Sequence, residues 1–180
     1  MTPISKYAVG LRYGLIAGIV YVVLLFCRFK FFSYSPQVYF YFSMVSFLII
    51  LFVYLLAGIA RKKELGGIAH VREIFQSIFV TILITEAFYV LFVFAYMKFI
   101  DPEFFQHFRQ MSLVYYQKIG LTPDEMNMSM KGVDSLINQE KPGGLVKGYG
   151  FSVILDSIIG FLIAFILRKQ NPITGETKQL

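Results

Sequence analysis

The chain has 180 residues, of which 57% are hydrophobic and only 16% charged, and its mean hydropathy is +0.64. Soluble domains average about 25% charged residues, so this composition excludes an ordinary soluble domain and points to an integral membrane protein. The net charge of +6 does not signal nucleic acid, because Lys and Arg gather beside apolar runs, and the single cysteine, Cys27, excludes an intrachain disulfide.

The first apolar run covers 8–27, with Arg12 in its opening turn. Lys6 and Arg12 ahead of it give the look of a signal peptide, but cleavage needs small residues after the apolar core. Phe26-Cys27-Arg28-Phe29-Lys30 is bulky and basic, so the run is read as an uncleaved span. Gly10, Gly14 and Gly18 recur at intervals of four, a stripe on which another helix can approach closely. Phe and Tyr then crowd the segment from Phe29 to Phe42, where an interfacial aromatic belt is expected.

The second run, 37–60, carries no charge. It gives way to Arg61-Lys62-Lys63-Glu64-Leu65-Gly66-Gly67, a basic cluster suited to anionic headgroups followed by a helix stop. His70 and Glu73 have the spacing of a capping box without its usual Ser or Thr. The third run, 74–97, is interrupted only by Glu86, which lies next to a hydroxyl stripe of Ser77, Thr81 and Thr85.

Asp101-Pro102-Glu103 reads as a helix start, with Asp as cap, Pro at the first helical position and Glu at the positive end of the dipole. Phe104, Phe108, Met111, Tyr115 and Ile119 form one apolar face, and Gly120 closes the helix. Thr122-Pro123-Asp124-Glu125 repeats the start signal; Met126, Met130, Val133 and Ile137 follow until Lys141-Pro142-Gly143-Gly144 breaks the chain. The connection 101–147 is therefore two short amphipathic helices, either a cap over the bundle or an adaptable Met-rich docking surface. The fourth run, 148–167, contains Asp156 within a second stripe at intervals of four, Gly148, Ser152, Asp156, Gly160 and Ala164.

Each run is long enough to cross a bilayer, which takes ~20 apolar residues. The fold class is thus all-α, a single polytopic domain of four transmembrane helices with the two short helices in the loop between the third and fourth. With a cytoplasmic N-terminus, that side holds Lys6, Arg12, Arg61, Lys62, Lys63, Arg72, Arg168, Lys169 and Lys178 against Glu64, Glu73 and Glu176, a net +6. The other side nets +2, so both termini are expected to be cytoplasmic.

An acid within a span is a functional candidate, because hydrocarbon penalises an ionised carboxylate unless protein or water surrounds it. Counted from the ends of their runs, Glu86 and Asp156 lie about 16 and 12 Å deep at ~1.5 Å per residue. If the spans are neighbours they could share a proton or flank a polar cavity, with Thr85 and Ser152 as polar company. The plainer alternative is a protonated acid bonded to Ser or Thr across a helix interface, worth near 1 kcal/mol.

Catalytic constellations are absent: there is no H-E-x-x-H, C-x-x-C or phosphate loop, and His70 and His107 fall on opposite sides of the membrane. No cofactor, metal or nucleic acid is expected.

Arg61-Lys62-Lys63-Glu64-Leu65-Gly66-Gly67 and Ile100-Asp101-Pro102-Glu103-Phe104, with four spans and one long connection before the last, resemble a bacterial membrane family catalogued as domain of unknown function 4199. The resemblance covers nearly the whole chain. It implies a four-helix inner-membrane protein without established activity. It also hints at an envelope-biosynthesis partner, since such genes often lie beside one for a polyprenyl-phosphate glycosyltransferase-like protein.

The functional expectation is a non-enzymatic accessory or scaffold subunit of a membrane complex, held to another membrane protein or to its own copies through the glycine stripes and the Met- and Phe-rich external helices. The alternative is a small proton- or ion-coupled carrier that titrates Glu86 and Asp156. A lipid-modifying enzyme would need a nucleophile or metal set at the membrane surface, and none is visible.

Overall fold

The computed structural model describes residues 3–168; Lys169, Glu176 and Lys178 of the charge tally lie outside them. Helices α1 (Pro3–Phe31), α2 (Pro36–Glu64), α3 (Val71–Ala95), α4 (Phe104–Lys118), α5 (Pro123–Glu140) and α6 (Pro142–Leu167) make up the fold, with no strand among the described residues. Four stretches are long and apolar enough to cross a membrane: Tyr7–Phe31, Pro36–Glu64, Val71–Ile100 and Gly143–Leu167. Each overruns its apolar run by several residues, because hydropathy marks where lipid ends while the helical backbone continues into the headgroup region.

The central helix is α3, which packs against α1, α2 and α6. Gly10, Gly14 and Gly18 make its closest neighbour α1: a Cβ on Gly14 would stand 2.8 Å from Ile84 and one on Gly18 2.6 Å from Phe88. Thr81, fully buried in the same seam, donates to the Gly10 carbonyl at 3.2 Å and to its own helix at Ser77, 3.0 Å. On the other flank Gly160 sets α6 against Ile78 and Ile82, and Ala164 is fully buried beside it.

Local signals explain most helix ends. Ser35 caps α2 by accepting from the Val38 amide at 3.2 Å. Gly66 and Gly67 end it at φ +73° and +87°, in the left-handed region that glycine tolerates. Thr122 and Glu125 form the expected capping box on α5, and Gly120, at φ +75°, closes α4. His70 and Glu73 complete half of theirs, the His70 amide donating to the Glu73 carboxylate at 3.0 Å.

Several local expectations need correction. Asp101, Pro102 and Glu103 do not open α4 as cap and first turn. A π-helical turn, Tyr96–Ile100, prolongs α3, and the Asp101 carbonyl then accepts from the Phe104 amide in a tight turn that contains Pro102. Glu103 becomes the N-cap, without a side-chain bond. Lys141-Pro142-Gly143-Gly144 is no loop, since Lys141 alone separates α5 from α6 and Pro142 starts the next helix. Gly144 is needed there, because a Cβ would collide with the carbonyls of Asn138 and Gln139. Arg61 is 3% exposed and paired with Glu64, so of the basic cluster Lys63 is exposed and Lys62 half-buried.

The connection between α3 and α6 folds over one end of the bundle, the capped end. Phe104 and Phe108 of α4 and Val133 and Ile137 of α5 join Leu25, Phe29 and Tyr39 in one buried cluster. The aromatic belt is therefore split. Phe31, Tyr34, Phe40 and Tyr41 face outward as anchors, whereas Phe29 turns inward to Tyr96 and Phe104, at centroid distances of 4.9 and 5.0 Å. Arg109 clamps the two cap helices through both oxygens of Asp134, at 2.7 and 3.3 Å.

Candidate functional site

Glu86 and Asp156 sit near the middle of their spans, about 21 Å from Ile100 and about 20 Å from Gly143 by the helical rise. The stripe of α6 turns Asp156 toward the bundle, and both acids are buried, 5% and 8% exposed. Their helices are neighbours, α6 packing on α3. From α2, the Tyr54 hydroxyl donates to Asp156 Oδ2 at 3.0 Å. Neither carboxyl has a Lys or Arg partner among the described residues.

The polar company is not the one the sequence suggests. Thr85 is buried, but its hydroxyl donates to the Thr81 carbonyl of its own helix at 2.8 Å. Ser152 lines an 830 Å³ groove between α5 and α6 at the capped end, one turn from Asp156. The partner of Asp156 is Tyr54, a buried phenol in the uncharged second run.

A second buried polar cluster lies under the cap. Arg28, on the last turn of α1, reaches Glu140, the last residue of α5, at 3.5 Å; both are 7% exposed. The guanidinium donates to Ser43 at 3.0 Å and lies 5.0 and 4.7 Å from the ring centres of Phe29 and Tyr39, a cation–π arrangement on two faces. Glu140 Oε1 accepts from the Tyr89 hydroxyl at 2.7 Å. Glu140 Oε2, Arg28 Nε and the Tyr39 hydroxyl are buried without a protein partner. Burial holds the Glu140 carboxyl above the usual carboxylate range, while Arg28 and the Tyr89 hydrogen bond pull it down.

The sequence does not single out Arg28, Glu140, Tyr89 or Tyr54. Arg28 looks like an ordinary flanking charge and Glu140 like the end of an exposed amphipathic helix. The usable signal is that each stands at the rim of an apolar run at the same end of the bundle, with opposite sign. Asp101, Pro102 and Glu103 are remote from both clusters, in the turn before α4, and His70 and His107 lie at opposite ends of the fold.

What the two clusters can do chemically is bind and pass protons or hold a small ion. Among the described residues no group of three or more His, Cys, Asp and Glu is arranged to hold a metal ion. Neither a curated protein nor a solved structure matches the chain. The family model described as protein of unknown function, DUF4199, matches residues 12–169, and the chain belongs to that family.

Proposed function

We propose that this membrane protein works by binding and releasing protons at Glu86 and Asp156, as the core of a small proton- or ion-coupled carrier without covalent chemistry. The observation that carries this reading is that the bundle buries Glu86 and Asp156, the latter against the Tyr54 hydroxyl, with no Lys or Arg partner for either acid among the described residues. Purely structural buried charges are normally paired, because an unpaired one is costly. Acids left without a cation in the middle of a span fit a role in which their protonation changes.

The accessory-subunit reading loses two supports. Gly10, Gly14 and Gly18 receive α3 of the same chain, and Met130, Val133 and Ile137 are buried on the inner face of the cap. What still favours it is the exposed apolar row of Met111 and Val114 on α4 and Ile119 at its C-cap, with Met128 78% exposed on α5. The setting we infer is a bacterial cytoplasmic membrane, with both termini inside. Arg12, Lys62, Lys63, Arg72 and Arg168 all fall at the uncapped end, where positive-inside asymmetry would place the cytoplasm.

Liposomes containing the purified protein and a trapped pH dye test the carrier reading under an imposed potassium diffusion potential. Protein-dependent proton uptake is expected, with at least about a tenfold loss in Glu86→Gln and Asp156→Asn. Uptake equal to empty liposomes, or unchanged in both variants, would discard it. A single stoichiometric membrane partner in mild-detergent pull-downs, lost on Val114→Asp, would favour the accessory role instead.

A further inference from the structure

The joint between α5 and α6 leaves a groove that the fold itself does not fill. It measures 830 Å³ and takes Lys131, Ser135 and Asn138 from α5 and Lys147, Gly148 and Phe151 from α6. The acid in its wall, Asp134, is taken up by Arg109 through both oxygens. Lys131 and Lys147 are exposed and pair with no acid among the described residues. Lys141, at the joint, donates to the Asn138 side chain at 3.0 Å and adds a third cation at the rim. The groove therefore suits an anion.

Its depth narrows the kind of anion. The fourth span opens at Gly143, so Lys147 lies about 6 Å and Phe151 about 12 Å into it by the helical rise. The polar layer on each face of a bilayer is about 5–8 Å deep, and the groove thus runs from the headgroups into the hydrocarbon. Lys147 is followed at spacings of four, three and four by Phe151, Ile154 and Ile158, all exposed along one face of α6. A cation above an apolar row matches a phosphate above an acyl chain. Gly148 is a separate sign, because nothing lies within 4 Å of a Cβ built on it. It is not small to suit a neighbour in the chain, and glycine inside a helix is less stable than alanine. Bare backbone at that point suits close approach by an outside molecule.

Independently of the carrier reading, we propose that this groove binds one anionic phospholipid of the leaflet at the capped end, its phosphate on Lys131 and Lys147 and an acyl chain along Phe151, Ile154 and Ile158. Ser135 and Asn138 line the polar part of the groove and offer hydrogen bonds to the headgroup. The lysines select by charge, since basic groups at the membrane surface draw anionic lipid and a zwitterionic headgroup brings its own cation to the same place. The lipid covers the half of the α6 stripe that no helix of the chain covers, and it bridges α5 and α6 across a joint of one residue, Lys141.

The chain contains no tryptophan, so Phe151→Trp sets a single fluorescent reporter in the groove wall. The full chain carrying it is placed in mixed bilayers of phosphatidylglycerol and phosphatidylcholine, with quenching bromines on the acyl chains of one lipid or the other. Phosphatidylglycerol is expected to be preferred at the reporter by at least about threefold. Lys131→Gln together with Lys147→Gln should bring the two lipids level, whereas Lys62→Gln with Lys63→Gln, at the uncapped end, should leave the preference unchanged. Gly148→Leu keeps both charges but fills the groove with side chain, and it should also lose the preference with an unchanged circular-dichroism profile. Equal quenching by the two lipids before any lysine is changed would overturn the proposal. So would a preference that survives Gly148→Leu or falls equally with the Lys62 and Lys63 pair, since the lysines would then act as ordinary flanking charges. A preference abolished by millimolar inorganic phosphate would overturn it as well, because the groove would then hold free phosphate and not lipid.

Discussion

Gly10, Gly14 and Gly18 on α1 and Gly148, Ser152, Asp156, Gly160 and Ala164 on α6 share a four-residue spacing, yet only the α1 stripe is pressed against a neighbour along its whole length. Every α1 glycine would place a Cβ within 2.9 Å of an α3 atom. On α6, Gly160 meets Ile78 at 2.8 Å, whereas nothing lies within 4 Å of a Cβ on Gly148, and Ser152 borders a groove. The spacing selects a helical face; whether a partner fills it depends on how the neighbouring helix runs. On α6 the filled half holds the helix to α3, and Asp156 lies at the transition between the two halves.

The largest test of this contrast is Gly18→Leu. Its Cβ alone would overlap Phe88 by close approach at 2.6 Å, and the remaining atoms have no room between α1 and α3. Overpacking of this kind typically costs 1–3 kcal/mol, and a whole side chain in a helix seam is expected at the top of that range, about 3 kcal/mol. Unfolding in detergent by SDS titration, followed by circular dichroism, measures it. A loss no larger than that of Gly148→Leu would show that the α1 seam is not tight.

Gly160→Leu should fall between the two, near about 2 kcal/mol, because the first atoms it meets are the Ile78 and Ile82 side chains, which can shift, and not backbone. Since α6 carries Asp156 one turn away, the same variant is also expected to lower proton uptake. Wild-type uptake with reduced stability would separate the packing of α6 from the acid site.

Much of this fold is legible in the sequence because its signals are local. An unbroken apolar run, a Gly66-Gly67 stop and a Thr122-to-Glu125 capping box each act within a few residues, and the structure contains all of them. Glu86 and Asp156 stand out for the same reason, as charges in hydrocarbon-length runs. What stays hidden depends on contacts between distant positions. Arg28 and Glu140 meet only after the cap folds back, and Tyr54 is one tyrosine among twelve until α2 brings it to Asp156. The start of α4 lies beyond Asp101 because a π-helical turn, which has no plain sequence signature, carries α3 past its apolar run.

A smaller effect isolates the polar half of the α1 seam. Thr81→Val keeps the shape and removes a hydroxyl shared between the Gly10 and Ser77 carbonyls, at 3.2 and 3.0 Å. Interhelical hydrogen bonds in membranes average about 0.6 kcal/mol, and the intrahelical share of this one disappears at little cost, so a loss of about 0.6–1 kcal/mol is expected in the same SDS titration. A loss above about 2 kcal/mol would mean that hydroxyls, more than glycines, hold α1 to α3.

Gly148→Ala should do least, and its sign carries the information. With open space around the new methyl, the packing term vanishes and only helix propensity remains. Alanine is favoured over glycine in a helix interior by about 0.5–1 kcal/mol, so this variant is expected to be neutral or slightly more stable. The same change at Gly18 gains the same propensity but meets Phe88, so it should come out destabilising. Opposite signs for one chemical substitution at two similarly spaced glycines would establish that the stripes differ in what faces them. Equal signs would mean that α6 closes its groove in the membrane and that the two stripes pack alike.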